Sequence, residues 1–166
     1  LKRGLDTEAL LRRFRQERDI LARLDHPGIV RLLDAGTTAD GRPWYAMDQV
    51  DGLPLREHAA RRGLDVRQRV ALVARIADAV AYAHAHLVVH RDLKPSNVLV
   101  DTTGQPRLLD FGIAKLLEPT AGQTLTGTGM HVLSPAYAAP ELVLGRPVGT
   151  AADVYGLAVL LFELLT

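Results

Sequence analysis

Apolar positions along the chain change their period from stretch to stretch, and each change predicts a different element. Leu10, Phe14, Glu17, Leu21 and Leu24 fall at intervals of 4, 3, 4 and 3, one stripe of a helix. Thr7 is its predicted N-cap, with Glu8 favouring the dipole in the first turn. Glu17 interrupts the stripe, and on its own it reads as an edge residue whose carboxylate reaches water. His26-Pro27-Gly28 reads as a turn, with His26 structural rather than reactive. The pattern then predicts a strand over residues 29–33, a polar loop over 34–43 and a second strand over 44–50, together a hairpin.

Val66, Val70, Val73, Ala77, Val80 and His84 recur at 4, 3, 4, 3 and 4, predicting a long helix capped by Asp65. Three short apolar runs follow, at residues 87–89, 98–100 and 108–109, and each reads as a short buried strand. Residues 113–138 are rich in Gly, Thr and Pro, and long irregular segments in compact domains tend to carry function. From Thr150 or Ala151 a last helix is expected. With Val154, Leu157, Ala158 and Leu161 around Asp153 it is apolar nearly all round, which predicts burial in a core.

The polar breaks between the three apolar runs hold the candidate chemistry. Asp92, Lys94, Asn97 and Asp110 sit where strand ends and tight turns hold side chains while leaving them reachable. Asn97 and Asp110 offer hard oxygen ligands suited to Mg²⁺ and a nucleotide's phosphates. Asp92 can accept a hydroxyl's proton, and Lys94 can steady a phosphoryl group as a point charge. His84, His86 and His90 invite a zinc reading, but His84 closes a helix and His90 opens the polar loop, so no helical zinc pair is expected.

The run His90-Arg91-Asp92-Leu93-Lys94-Pro95-Ser96-Asn97, then Asp110-Phe111-Gly112, then Ala139-Pro140-Glu141, resembles the catalytic loop, metal loop and closing motif of protein kinases. Any one of these is weak; the three in order at these distances are specific. The Lys94-Pro95-Ser96-Asn97 wording resembles the serine/threonine branch. The Ala-, Leu- and Arg-rich composition and Ser134-Pro135-Ala136-Tyr137 suggest a bacterial source.

That resemblance implies an α+β, bilobal kinase fold in part, with residues 1–50 as the remainder of the small lobe and 51–166 as part of the large one. It implies ATP with Mg²⁺ (or Mn²⁺) as cofactor and protein Ser/Thr hydroxyls as acceptors. Asp92, Lys94 and Asn97 become catalytic, with Asn97 and Asp110 holding metal. Glu17 becomes the carboxylate that pairs with a phosphate-binding lysine. That lysine and a glycine-rich loop are expected upstream of Leu1, and further helices beyond Thr166; Lys2 reads as a solvated charge. Met47, Asp48 and Val50 become the hinge that meets adenine, with Leu99 lining the nucleotide site, although Met47 as plain core packing fits equally. Arg91 becomes a grip for a phosphorylated residue among Thr124, Thr126 and Thr128, for which ordinary turn positions are the plainer alternative. Ser134 becomes a contact of Asp92 and Lys94, and Glu141 pairs with an arginine in a later helix. His90 becomes a packed residue beside Leu21, Leu32 and Phe111, and Asp153 holds the backbone of the His90 loop.

Composition narrows the picture further. A content of 48% hydrophobic and 23% charged residues over 166 positions describes about one globular domain. The net charge of +1 gives no reason to expect nucleic acid or a membrane surface as partner. No cysteine is present, which fits a reducing compartment, and a cytoplasmic location is expected, with any membrane anchor of the parent outside this segment. A scaffold derived from a kinase, inactive by itself, is the alternative; Asp92, Asn97 and Asp110 stand against it. A small-molecule phosphotransferase is a third reading, disfavoured by the long segment ending at Glu141.

Overall fold

The computed structural model describes residues 20–38, 43–111 and 136–166. It is an α+β arrangement built on two small antiparallel sheets and two main helices. The first sheet is the hairpin of β1 (Leu32–Thr37) and β2 (Pro43–Met47), with Leu32 opposite Met47 and Ala35 opposite Tyr45. The second has the order β3-β4-β5, from β3 (Gly52–Pro54), β4 (Val98–Asp101) and β5 (Pro106–Leu108). Between β3 and β4 run α1 (Leu55–Arg61) and α2 (Val66–Ala85), and the chain closes with the short α3 (Pro140–Val143) and α4 (Thr150–Leu165).

The expected hairpin forms, with shifted limits. Residues 29–31 are not strand, because the backbone there docks on β5: Val30 N–H donates to Leu108 C=O at 2.9 Å and Leu108 N–H to Gly28 C=O at 2.8 Å. β1 then runs on through Asp34, whose carboxylate accepts the N–H of Ala35 at 2.8 Å. β2 stops at Met47, short of the expected Val50. His26 is the turn residue expected, its Nδ1 accepting the Gly28 N–H at 2.9 Å.

α2 starts where Asp65 predicts. The Asp65 side chain accepts the Gln68 N–H at 2.8 Å while the Gln68 side chain accepts the Asp65 N–H at 2.9 Å, a reciprocal capping box. Its buried stripe differs from the one expected: Leu72, Val73, Ile76, Ala79, Val80 and Ala83 face inward, while Val66 and Val70 are exposed. The first two turns project past the body, and the alanines let α2 pack closely against α4. The run at 87–89 is not a strand. α2 ends in a 6→1 bond from Val88 N–H to Ala83 C=O and a 5→2 bond from Leu87 N–H to His84 C=O, both at 2.9 Å. That closure puts Leu87 at φ 63° with its side chain 93% exposed.

The other two short runs do pair. Val98 and Val100 turn into the core and Leu99 to the other side, with Val98 opposite Leu108. Asp101 builds the turn between them, accepting the N–H groups of Thr103 and Gln105 at 3.0 Å each and the Arg107 Nε–H at 3.0 Å. Burial opposes its charge, but these bonds and the Thr103 hydroxyl outweigh it and hold the carboxyl at a pKa of about 2. α4 is buried on one face only, through Ala152, Asp153, Gly156, Leu160 and Leu164. Val154, Tyr155, Phe162 and Leu165 are exposed, so the expectation of burial all round does not hold for this chain. Among the described residues no helix is long and apolar enough to cross a membrane.

Candidate active site

The polar loop at residues 90–97 is held from below by one buried carboxylate. Asp153, 1% exposed, accepts the N–H of His90 (Oδ2, 2.8 Å) and of Arg91 (Oδ1, 2.8 Å). His84, one turn from the end of α2, donates its Nε2–H to the same Oδ2 at 2.7 Å. Three donors on one carboxylate compensate its burial. They also hold Arg91 at φ 67°, a backbone state that few non-glycine residues adopt.

From that anchor the chain turns so that three predicted residues converge. Lys94 Nζ lies 2.8 Å from Asp92 Oδ2. Asn97 donates its Nδ2 protons to the Asp92 carbonyl at 2.8 Å and to Oδ2 at 3.1 Å. Both acceptors are oxygens, so the amide nitrogen of Asn97 must face Asp92, and its carbonyl oxygen faces away. A 3-10 turn, Pro95–Asn97, gives this geometry, with the Asn97 N–H bonded to Lys94 C=O at 3.0 Å.

Leu109 stitches this loop to the next. Its N–H donates to Asn97 C=O at 2.9 Å, and its C=O accepts from His90 Nε2 at 2.8 Å. The carbonyl can only accept, so His90 carries its proton on Nε2, leaving Nδ1 to receive the Asp92 N–H at 3.3 Å. The ring is fully buried and stacks on Phe111 with centroids 4.7 Å apart. Burial keeps it neutral by lowering its pKa, against the pull of Asp153, the Leu109 carbonyl, Asp92 and Asp110.

Asp110 follows at φ 50°. The Tyr45 hydroxyl hydrogen-bonds its carboxylate; burial first, then the charge and the bond of Asp110, raise the pKa of the phenol. Asp110 Oδ1 is buried with no hydrogen-bond partner among the described residues. A buried carboxylate oxygen left unpartnered is costly unless a cation reaches it. Together with the outward-facing carbonyl of Asn97 it fits a hard divalent cation such as Mg²⁺, which takes one or two protein oxygens and completes its shell with phosphate and water.

The expected nucleotide residues lie around this loop. Met47 lines a small cavity with Leu21, Leu24, Leu32, Asp110 and Phe111. Asp48 donates its N–H to Arg31 C=O at 3.0 Å, so of its two backbone groups only the carbonyl can serve a base edge. Val50 and Leu99 are both half-buried, Leu99 opposite Pro54 and Arg107 across the sheet. Glu141 stands in the first turn of α3, its carbonyl accepting the Arg146 N–H at 2.8 Å. Glu17, Thr124, Thr126, Thr128 and Ser134 lie outside the described residues.

Two contributors were not singled out from the sequence as part of the site. His84 read as the end of a helical stripe, and nothing local announces its bond to a residue 69 positions away. Tyr45 did carry a signal: it stands two positions before Met47 on a strand, hence on the same face.

The family profile described as the protein kinase domain matches residues 2–166. The chain is 45% identical to serine/threonine-protein kinase PkaA of Streptomyces coelicolor over all of its own length and 31% of that protein. It is 38% identical to serine/threonine-protein kinase PrkC of Bacillus subtilis over 94% of this chain and 24% of the relative. It is 41% identical to serine/threonine-protein kinase PknJ of Mycobacterium tuberculosis, over all of this chain and 28% of the relative. The chain thus spans about a quarter to a third of the length of these relatives.

Proposed function

The chain belongs to the protein kinase family, and on that footing we propose that it carries the phosphoryl-transfer site of a bacterial serine/threonine kinase acting on protein hydroxyls. The convergence of Lys94 and Asn97 on the Asp92 carboxylate is the observation that supports this reading most strongly. Asp92 receives the acceptor serine or threonine hydroxyl and takes its proton as the oxygen attacks. Asn97 fixes the carboxylate's rotation, and Lys94 is placed to follow charge onto the transferred group. Asn97, through its carbonyl oxygen, and Asp110, through Oδ1, are the residues that would hold Mg²⁺. The Mg²⁺ of a bound Mg·ATP supplies charge neutralisation to the phosphates. Met47, Asp48, Val50 and Leu99 are assigned to the base, Glu17 to the lysine expected upstream, and Arg91 to a phosphate on Thr124, Thr126 or Thr128. Ser134 and Glu141 are assigned to the substrate platform, and the site is assigned to the cytoplasm.

Little chemistry is asked of the protein beyond positioning and electrostatics, and the loop is built for positioning: every backbone turn from His90 to Asp110 is pinned by a named bond. The alternative, a scaffold without activity, is disfavoured because Asp92, Asn97 and Asp110 are all present and the relatives are named as kinases. The test is Asp92→Asn in the full-length protein, with phosphate transfer from radiolabelled ATP to a generic protein substrate and nucleotide affinity measured side by side. Turnover falls by about 100-fold or more, within the range a general base contributes, while ATP affinity holds. Equal turnover in the two proteins would remove Asp92 from this role.

A further inference from the structure

Three facts at one carboxylate have not been absorbed by the reading above. The Tyr45 hydroxyl is hydrogen-bonded to Asp110. The second Asp110 oxygen, Oδ1, is buried with no partner among the described residues. The residue sits in the left-handed backbone region at φ 50°, where its direction is fixed by its surroundings rather than by local preference.

The geometry behind the bond is a matter of strand alternation. On β2, Tyr45 and Met47 share a face, and Met47 lines the cavity that Asp110 and Phe111 close. Tyr45 sits opposite Ala35 on β1, and that small neighbour leaves room for the ring. Phe111, next in chain, is held by the His90 ring, so the backbone on the far side of Asp110 is fixed as well. One oxygen of the carboxylate is thus tied from the hairpin while the other is left to a cation.

We propose that Tyr45 is a positioning residue for the divalent cation, its hydroxyl tethering one oxygen of Asp110 so that Oδ1 is presented to the metal. This rests on the reading of Asp110 as a metal ligand and extends it to the small sheet: metal affinity becomes sensitive to where β2 sits. A free carboxylate can rotate and share its charge between both oxygens. A tethered one offers a single, oriented oxygen, and loss of such outer partners typically costs about 10- to 100-fold in metal affinity. The tether also excludes two-oxygen coordination of the metal by Asp110, which favours a small cation with strict geometry over a large flexible one.

The test uses full-length protein with ADP present and Mn²⁺ as the probe, its binding followed by electron paramagnetic resonance. Tyr45→Phe, which keeps the ring and removes only the hydroxyl, is compared with Asp110→Asn, and thermal melts check that both fold. The expected result is Mn²⁺ binding weakened about tenfold in Tyr45→Phe and abolished in Asp110→Asn. In kinase assays the Tyr45→Phe deficit then shrinks as Mg²⁺ is raised, which a general loosening of the fold would not produce. Unchanged or tighter Mn²⁺ binding in Tyr45→Phe, with Asp110→Asn still deficient, overturns the role of Tyr45 and leaves Asp110 a ligand. Full Mn²⁺ binding in Asp110→Asn overturns the metal assignment of Asp110, and the role of Tyr45 with it.

Discussion

Asp153 accepts the backbone N–H of Arg91 at 2.8 Å, joining α4 to the Asp92 loop across 62 positions of sequence. The bond fixes a residue whose left-handed backbone would otherwise relax. Asp153→Ala removes the acceptor shared by His84, His90 and Arg91 and leaves two buried N–H groups unsatisfied. Breaking a buried charged network of this kind costs about 3–5 kcal/mol. Urea unfolding of the full-length variant is expected to show that loss. A change under about 1 kcal/mol would mean that the loop holds its shape without α4.

Gly156 is the second point where α4 meets the loop. A Cβ there would stand 2.8 Å from Leu93 Cβ, and Leu93 is a buried residue between Asp92 and Lys94. Ala is favoured over Gly within a helix by about 1 kcal/mol, so local propensity alone predicts stabilisation by Gly156→Ala. Overpacking costs about 1–3 kcal/mol and should win, because the pinned loop has little room to yield. The expected outcome is a lower melting temperature together with a turnover loss larger than any change in nucleotide affinity. A rise in melting temperature would show that Leu93 gives way freely.

Much of this arrangement was legible in the sequence, and the misreadings share a cause. Asp65 marked the start of α2 because a capping box is local: four residues contain the whole interaction. Asp92, Lys94 and Asn97 were legible because their geometry is made inside one short loop. The run at 87–89 misread as a strand because three apolar residues look alike whether they pair or close a helix. The start of β1 misread because Gly28 and Val30 spend their backbone bonds on Leu108, far along the chain. The one-sided burial of α4 and the bond of Tyr45 to Asp110 likewise depend on what lies opposite, which periodicity does not contain.

Leu87 gives a stability prediction in the opposite direction. It holds φ 63° at the end of α2 with 93% of its surface exposed, so the side chain adds strain and little packing. The left-handed state costs an L-residue about 1–2 kcal/mol, and glycine does not carry that cost. Glycine also has more freedom to lose on folding, which returns roughly 0.4–1 kcal/mol. Leu87→Gly is therefore expected to stabilise by about 0.5–1 kcal/mol, read from the urea midpoint. A destabilised variant would mean that Leu87 is covered in the full-length protein.

His90 sets a pH dependence whose sign follows from its burial. Its folded pKa lies below the ordinary 6.5 because burial disfavours the charged ring, and because its protonation would cost the Asp92 N–H its acceptor. In the unfolded chain the imidazole takes up its proton near 6.5, so below that pH the unfolded state binds more protons and gains relative to the folded one. The contribution of His90 is complete above pH 6.5 and is lost as pH falls below it, by roughly 1.4 kcal/mol per pH unit until the folded ring also titrates. His58, lowered by burial and by Arg62, acts in the same direction. Asp101 does not contribute in this window, since its carboxyl stays ionised in both states until the pH nears 3.8, the ordinary value. Urea midpoints of the full-length protein at pH 7.5, 6.5 and 5.5 should fall across the second interval and barely move across the first. His90→Gln, whose amide can donate to Leu109 and does not titrate, should flatten the fall without removing the share of His58. An equal fall in both proteins would move the acid sensitivity away from His90 and onto other groups.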